Sequence, residues 1–142
     1  MKKIITDKKF LREPCTPVLP EDLSNIKMQL AVAMRQQIGK GYAVAANQIG
    51  IQKRAFVMHM GAQRLKFFVN PKLLSKEGEQ FEHSEGCLSL PREGNFTVAR
   101  WPRITVTDDM HGEQTLSALS AVIWQHEMDH LDGILICDKE IE

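Results

Sequence analysis

Neither sign of charge is in excess in this chain: 18 lysines and arginines balance 18 aspartates and glutamates, and the isoelectric point is about 7.0. With no net field, nothing draws the molecule as a whole to nucleic acid or to an anionic membrane surface. Long apolar runs are missing too, so no transmembrane helix is predicted. Met1-Lys2-Lys3 resembles the basic start of a secretory leader, but Ile4-Ile5 is followed at once by Thr6-Asp7-Lys8-Lys9, which interrupts the apolar segment a leader needs. Cysteine is scarce, and its three copies make an odd, sparse set that excludes a disulfide framework and implies reduced thiols in a cytoplasmic protein. Repeats and low-complexity segments are absent. What remains is an ordinary globular composition, 43% hydrophobic and 25% charged over 142 residues, which predicts one compact domain, 1–142, able to bury a core.

The most informative stretch is Trp124-Gln125-His126-Glu127-Met128-Asp129-His130-Leu131-Asp132-Gly133, which contains His-Glu-x-x-His. On a helix, residues four apart share a face, so His126 and His130 can bind one metal ion while Glu127 sits beside it as a base. Leu119, Val122, Ile123, His126 and His130 fall within an arc of roughly 100°, an apolar stripe expected to face the interior, with Trp124 pointing the other way. Gly133 reads as the helix stop, and Ile134 to Cys137 as a short buried strand.

A tetrahedral centre that keeps one position for water needs a third protein ligand. The extended His-Glu-x-x-His-x-x-Gly-x-x-His pattern would put a histidine where Ile136 stands. With the sequence ending at Glu142, the expectation is an upstream ligand, for which Cys87 in Ser84-Glu85-Gly86-Cys87-Leu88-Ser89 is the best candidate. Cys15 and Cys137 read as packing residues. His59, His83 and His111 lack metal-ligand spacing and read as ordinary surface or packing histidines.

Leu11 to Pro20 holds three prolines and is expected to run extended over the surface. Leu23, Ile26, Leu30, Ala33, Met34 and Ile38 predict a helix from Asp22 to about Ile38, ended by Gly39 and Gly41. Gly41 to Gly50 is a run of small residues that permits close backbone approach around the amide of Gln48, or simply tight helix-on-sheet packing. Ala55 to Met58 and Leu65 to Val69 predict a hairpin, and Leu73-Leu74, Phe81 to Ser84, Phe96 to Ala99 and Ile104 to Thr107 predict further strands. Lys76 to Glu79, Arg92 to Asn95 and Asp108 to Glu113 read as turns or loops, with Ser117 or Ser120 capping the last helix. The class is α+β: mostly antiparallel strands packed around a central helix carrying the motif, with an N-terminal helix.

Three segments in this order, Gly41 to Gln48, Glu85 to Ser89 and Gln125 to His130, resemble the signature motifs of peptide deformylases. The arm Leu11 to Val18, Asn70-Pro71, Val98-Ala99-Arg100 and the tail after Gly133 extend the resemblance over nearly the whole chain, in a short form similar to organellar or phage-encoded members, without a long C-terminal helix.

The resemblance implies that Cys87, His126 and His130 hold one divalent metal ion per chain, iron(II) physiologically, with zinc, nickel or cobalt also binding. It implies that Glu127 is the acid/base, that Gln48 and the backbone N–H of Leu88 stabilise the oxyanion, and that Gly41, Tyr42, Ala43 and Gly86 line the substrate's path. The reaction implied is removal of formate from N-formylmethionyl nascent polypeptides, with transient ribosome association. Leu119, Val122 and Ile123, which precede His126 on its own face, are expected to wall the methionine pocket. Arg100 is expected to pair with Glu85 across the strands.

One residue departs from the motifs: Ala43 stands where the family has glycine, which narrows the route and strains the backbone if that position needs φ > 0. Two alternatives follow, a deformylase-like hydrolase with another acyl substrate and a non-catalytic metal-binding module. Glu127 and Gln48 argue against the second, since neither is needed to hold metal.

Overall fold

The chain folds into three antiparallel β-assemblies and two long helices, seen in a computed structural model that describes residues 3–141. Met1 and Lys2 of the basic start, and Glu142, lie outside the described residues. A short helix α1 (Lys8–Leu11) leads through the proline-rich arm to α2 (Leu23–Gln36). Strands β1 (Ala43–Ala45), β2 (Ala55–His59) and β3 (Leu65–Val69) form one sheet in that order. Strands β4 (Lys72–Glu77), β7 (Arg103–Asp108) and β8 (His111–Ser117) form a second, ordered β4-β7-β8. Between them β5 (Phe81–Glu85) and β6 (Phe96–Arg100) make a two-stranded ribbon, and α3 (Ala118–Leu131) carries the motif.

The first sheet is buried on both faces, which explains the unbroken apolar run of β2. Side chains alternate across a strand, so Ala43, Ala45, Phe56, Met58 and Phe68 pack towards Ala121, Trp124 and Leu131 of α3. Val44, Val57 and Val69 pack the other way, against Ile26, Leu30, Ala33 and Met34 of α2. With a helix pressed on each side, β1 has room for little beyond alanine and valine. The run of small residues is therefore a strand followed by a 3-10 turn, Ala46–Ile49.

The structure corrects several sequence-based expectations. Trp124 points into the core, 1% exposed, with its ring edge-on to Phe56 at 6.2 Å between centroids. The stripe bearing His126 faces a pocket instead of the packed interior, because α3 lies centrally and buries both sides. The supposed turn from Asp108 to Glu113 is mostly strand: its polar residues hid β8, which is held by ladder bonds to β7. Lys76 and Glu77 likewise belong to β4.

Ile134 to Cys137 forms no strand. Ile136–Asp138 is a 3-10 turn closed by the Leu135 N–H donating to Asp138 Oδ2 at 3.1 Å. The arm is partly sunk into the body, with Leu11, Cys15 and Val18 buried. Helix α2 stops at Gln36, short of Ile38. Ser117 occupies the N-cap position of α3, but its side chain makes no capping bond. At the other end Gly133, at φ 75°, is required sterically, since a Cβ there would lie 2.4 Å from the Arg12 carbonyl oxygen.

Candidate metal centre and pocket

Helix α3 and the end of β5 bring together the residues singled out in sequence. Spacing on α3 sets His126 and His130 side by side, ring centroids 5.1 Å apart. The segment after β5 carries Cys87 against them, with Sγ 3.4 Å from His130 Nε2. One ligand atom from each of Cys87, His126 and His130 lies within 4.8 Å of the others, a separation one ion can span, and among the described residues this is the group of three or more His, Cys, Asp or Glu side chains that could hold a metal ion.

Glu85 orients this centre. Its Oε1 is 2.8 Å from His126 Nδ1, which leaves Nε2 of that ring for a ligand. Arg100 donates to both carboxylate oxygens, Nε to Oε2 and Nη2 to Oε1, each at 2.8 Å, and its third nitrogen donates to Asp129 Oδ2 at 2.7 Å. The expected cross-strand pair is thus present, bidentate and buried. Paired charges that satisfy one another in this way fix geometry more than they add stability. Burial disfavours ionised Glu85, yet the bonds from Arg100 and His126 hold its pKa down at about 2. On the other side of the helix, Asn47 Nδ2 donates to the His130 carbonyl at 2.9 Å and ties the first motif to the third.

The electrostatics suit a cation. Burial opposes charge on His126, but bonding to Cys87 and Glu85 and the charge of Glu127 lift it to about 10, so its Nε2 holds a proton that a bound cation would replace. Burial and the neighbouring His126 hold His130 well below its ordinary value, so its ring stays neutral and its nitrogen free to ligate. A soft sulfur donor, two imidazoles and a carboxylate that orients one of them fit a first-row divalent metal. Burial raises Glu127 to about 7. Its Oε1 is buried without a partner, and its Oε2 is 3.9 Å from His126 Nε2. A carboxyl group so placed can both take and give a proton near neutrality.

Gln48 and Leu88 flank the Cys87 sulfur. Gln48 Oε1 accepts from Ala45 N–H at 2.9 Å, and its Nε2 donates to Ser89 Oγ at 3.1 Å while standing 3.8 Å from Cys87 Sγ. Its second amide hydrogen is directed at the centre, towards Cys87 Sγ. The Leu88 N–H has no acceptor among the described residues. Both residues border a cavity of about 480 Å³.

One wall of that cavity is Leu119, Val122 and Ile123 of α3, and another is Gly41, Tyr42 and Ala43 at the start of β1. Gly86, Cys87, His126 and Glu127 close its polar end, while His130 is buried beneath. Tyr42 and Leu119, 62% and 47% exposed, stand at the mouth. Gly86 is constrained by Asn95, whose Oδ1 would lie 2.8 Å from an added Cβ, and Gly41 by the Leu88 side chain at 3.0 Å. Ala43 is not strained: it sits in β1 opposite Met58, outside the residues with positive φ, and it borders the cavity while also packing in the core against α3.

Sequence reasoning missed Ser89, Asn47, Asp129 and His83. Asp129 reaches the site through Arg100 of β6, and neither that contact nor those of Asn47 and Ser89 carried a local signal. His83, read as an ordinary histidine, lines the cavity with Nδ1 3.1 Å from Glu85 Oε2.

Comparison with known proteins gives the family. The polypeptide deformylase family model matches residues 1–142. A peptide deformylase of Heliobacterium modesticaldum is 44% identical over 104 residues, covering 70% of this chain and 67% of that protein. One from Treponema pallidum is 34% identical over 140 residues, covering 92% and 85%. The crystal structure of peptide deformylase from Thermotoga maritima superposes with a TM-score of 0.86 at 32% identity, covering 100% of this chain and 99% of that one. A probable peptide deformylase from Synechococcus phage S-SSM7 does so with a TM-score of 0.85 at 34% identity, covering 98% and 99%.

Proposed function

The chain belongs to the polypeptide deformylase family, and from that premise we propose that residues 1–142 act as one catalytic domain that hydrolyses the formyl amide of N-formylmethionine on newly made polypeptides and releases formate. Enzymes of this family are metal-dependent hydrolases of N-terminal processing. Cys87, His126 and His130 are assigned to one divalent metal ion, iron(II) in the physiological enzyme, with zinc, nickel or cobalt accepted by the same donors. Bound there, the ion supplies Lewis-acid polarisation and lowers the pKa of a water molecule to about 7.

Glu127 moves the proton. Its unpartnered Oε1 takes a proton from the attacking water, and the resulting acid delivers it to the amine nitrogen as the formyl C–N bond breaks. Gln48 Nε2 and the Leu88 N–H donate to the formyl oxygen as it gains charge; removing one such donor typically costs about 10²–10³ in rate. Leu119, Val122 and Ile123 take the methionine side chain, and the backbone from Gly41 to Ala43 and at Gly86 borders the peptide. A formyl-Asp peptide is disfavoured because its carboxylate would be buried unpaired against that wall. We infer a cytoplasmic reaction on chains emerging from ribosomes met transiently. No described helix is long and apolar enough to cross a membrane.

The observation that supports this reading most is the convergence of one thiol and two imidazoles within 4.8 Å beside a buried carboxylate oxygen that has no partner. The test is formate release from formyl-Met-Ala-Ser with metal content measured in the same preparation. Turnover proportional to bound metal is expected, and a fully metallated protein that releases no formate would overturn the proposal.

A further inference from the structure

Glu85 stands between two imidazoles, and the reaction uses only one of them. An ionised carboxylate has about four acceptor positions. Arg100 fills two of Glu85's, His126 Nδ1 a third and His83 Nδ1 the fourth, the last at 3.1 Å. With a guanidinium bound to both oxygens the carboxylate is ionised, so each imidazole donates its Nδ1 hydrogen to it. His83 is held for this contact. It lies two residues before Glu85 on the same face of β5, opposite the buried Val98 of β6. The Phe81 ring meets it edge-on, at 86° and 6.1 Å between centroids, and its side chain is 33% exposed.

We propose that His83 is a positioning residue that acts on the metal-binding imidazole of His126 through Glu85, weakening the hydrogen bond that His126 donates and with it the hold of the centre on its metal. The physical reason is competition for one charge. A carboxylate bonded to a metal-ligating imidazole makes that ring a stronger donor to metal. Each further hydrogen bond to the same carboxylate draws off part of the charge that does so. Arg100 already fixes the orientation of Glu85 on both oxygens, so His83 is not needed to aim it. Its contribution is therefore electronic, and its removal strengthens the bond from His126.

The proposal rests on the reading of His126 as a metal ligand. The test measures zinc(II) affinity by competition with a chelator, together with the NMR resonance of the His126 Nδ1 hydrogen in the zinc-loaded protein. His83→Phe and His83→Leu remove the donor while keeping an apolar side chain beside Phe81. His83→Asn sets an amide donor where Nδ1 stands. Changes to direct outer partners of ligands are worth about 10–100-fold, so one bond further out the Phe and Leu variants are expected to bind zinc about threefold to tenfold more tightly. Their His126 resonance should move downfield, and the Asn variant should match the wild type in both readouts.

Unchanged affinity and resonance in the Phe and Leu variants would overturn the proposal, as would the same change in all three variants. A shift in KM alone would also overturn it and make His83 a substrate contact. His126→Ala tests the underlying reading separately: if zinc stays bound at wild-type affinity, the assignment of the centre fails, whatever the His83 variants do.

Discussion

The two faces of helix α3 do different work. One carries His126, Glu127 and His130, with Leu119, Val122 and Ile123 leading towards the cavity mouth. The other presses Ala121, Trp124 and Leu131 into the core, against Phe56 and the rest of the first sheet. Polar atoms are left bare on the first face: Glu127 Oε1 and His130 Nδ1 are buried without partners. Such groups cost stability unless something compensates. The apolar area buried by the second face supplies that compensation, although Trp124 Nε1 is itself without a partner there. The lesson is that a reactive surface can be held in place from behind, on the same short element.

This contrast can be broken most sharply at Glu127. Glu127→Ala should lower kcat/KM for formyl-Met-Ala-Ser by about 10²–10⁴, since the proposed proton carrier is lost, while bound metal stays stoichiometric and Tm does not fall. A large drop in Tm would mean that the pocket face carries structural weight. Trp124→Ala should do the opposite, destabilising the fold by about 3–5 kcal/mol in denaturant titrations, with metal bound normally by whatever remains folded. An active-site loss at full stability in this variant would erase the distinction between the faces.

A smaller effect belongs to Cys15, which packs in the same core cluster and whose N–H donates to the Leu131 carbonyl at 2.9 Å. Burial raises its thiol from 9.0 to about 11. The folded state therefore keeps a proton that the unfolded chain releases, so this contribution is intact below pH 9.0 and is lost as the pH rises towards about 11. Stability measured over that window should fall less steeply in Cys15→Ala than in the wild type. The same slope in both would show that the thiol does not titrate with unfolding.

The smallest expected change sharpens the pocket face alone. Ala43→Gly removes a methyl from the cavity wall without relieving any strain, so kcat/KM for formyl-Met peptides should hold steady or rise by less than about tenfold. A loss on formyl-Met with a gain on a larger acyl group would instead support an altered acyl substrate.

Much of the centre was readable from spacing, because its residues are local to one helix or one strand. His126, Glu127 and His130 follow from the helical period, and the pairing of Arg100 with Glu85 from the proximity of two adjacent strands. Strands β2 and β3 were legible for a similar reason, since short runs rich in β-branched and aromatic residues mark them locally. Polar β8 was not, because its partner β7 decides whether it is strand or turn.

Which side of α3 is core and which is cavity could not be read from its own residues, since both sides are rich in apolar side chains. Periodicity reports that a face is apolar and does not report what lies opposite it. The same limit hid His83, whose significance depends on a carboxylate two residues away being shared with a helix 41 positions further on from Glu85. The sequence by itself determined which thiol, imidazoles and carboxylate are offered as candidates and, for His126, Glu127 and His130, the helix that carries them, because those depend on residue type and local period. Only the tertiary structure decided the orientation of α3, the ring of donors around Glu85 and the unstrained place of Ala43, because each depends on a surface contributed by a distant segment of the chain.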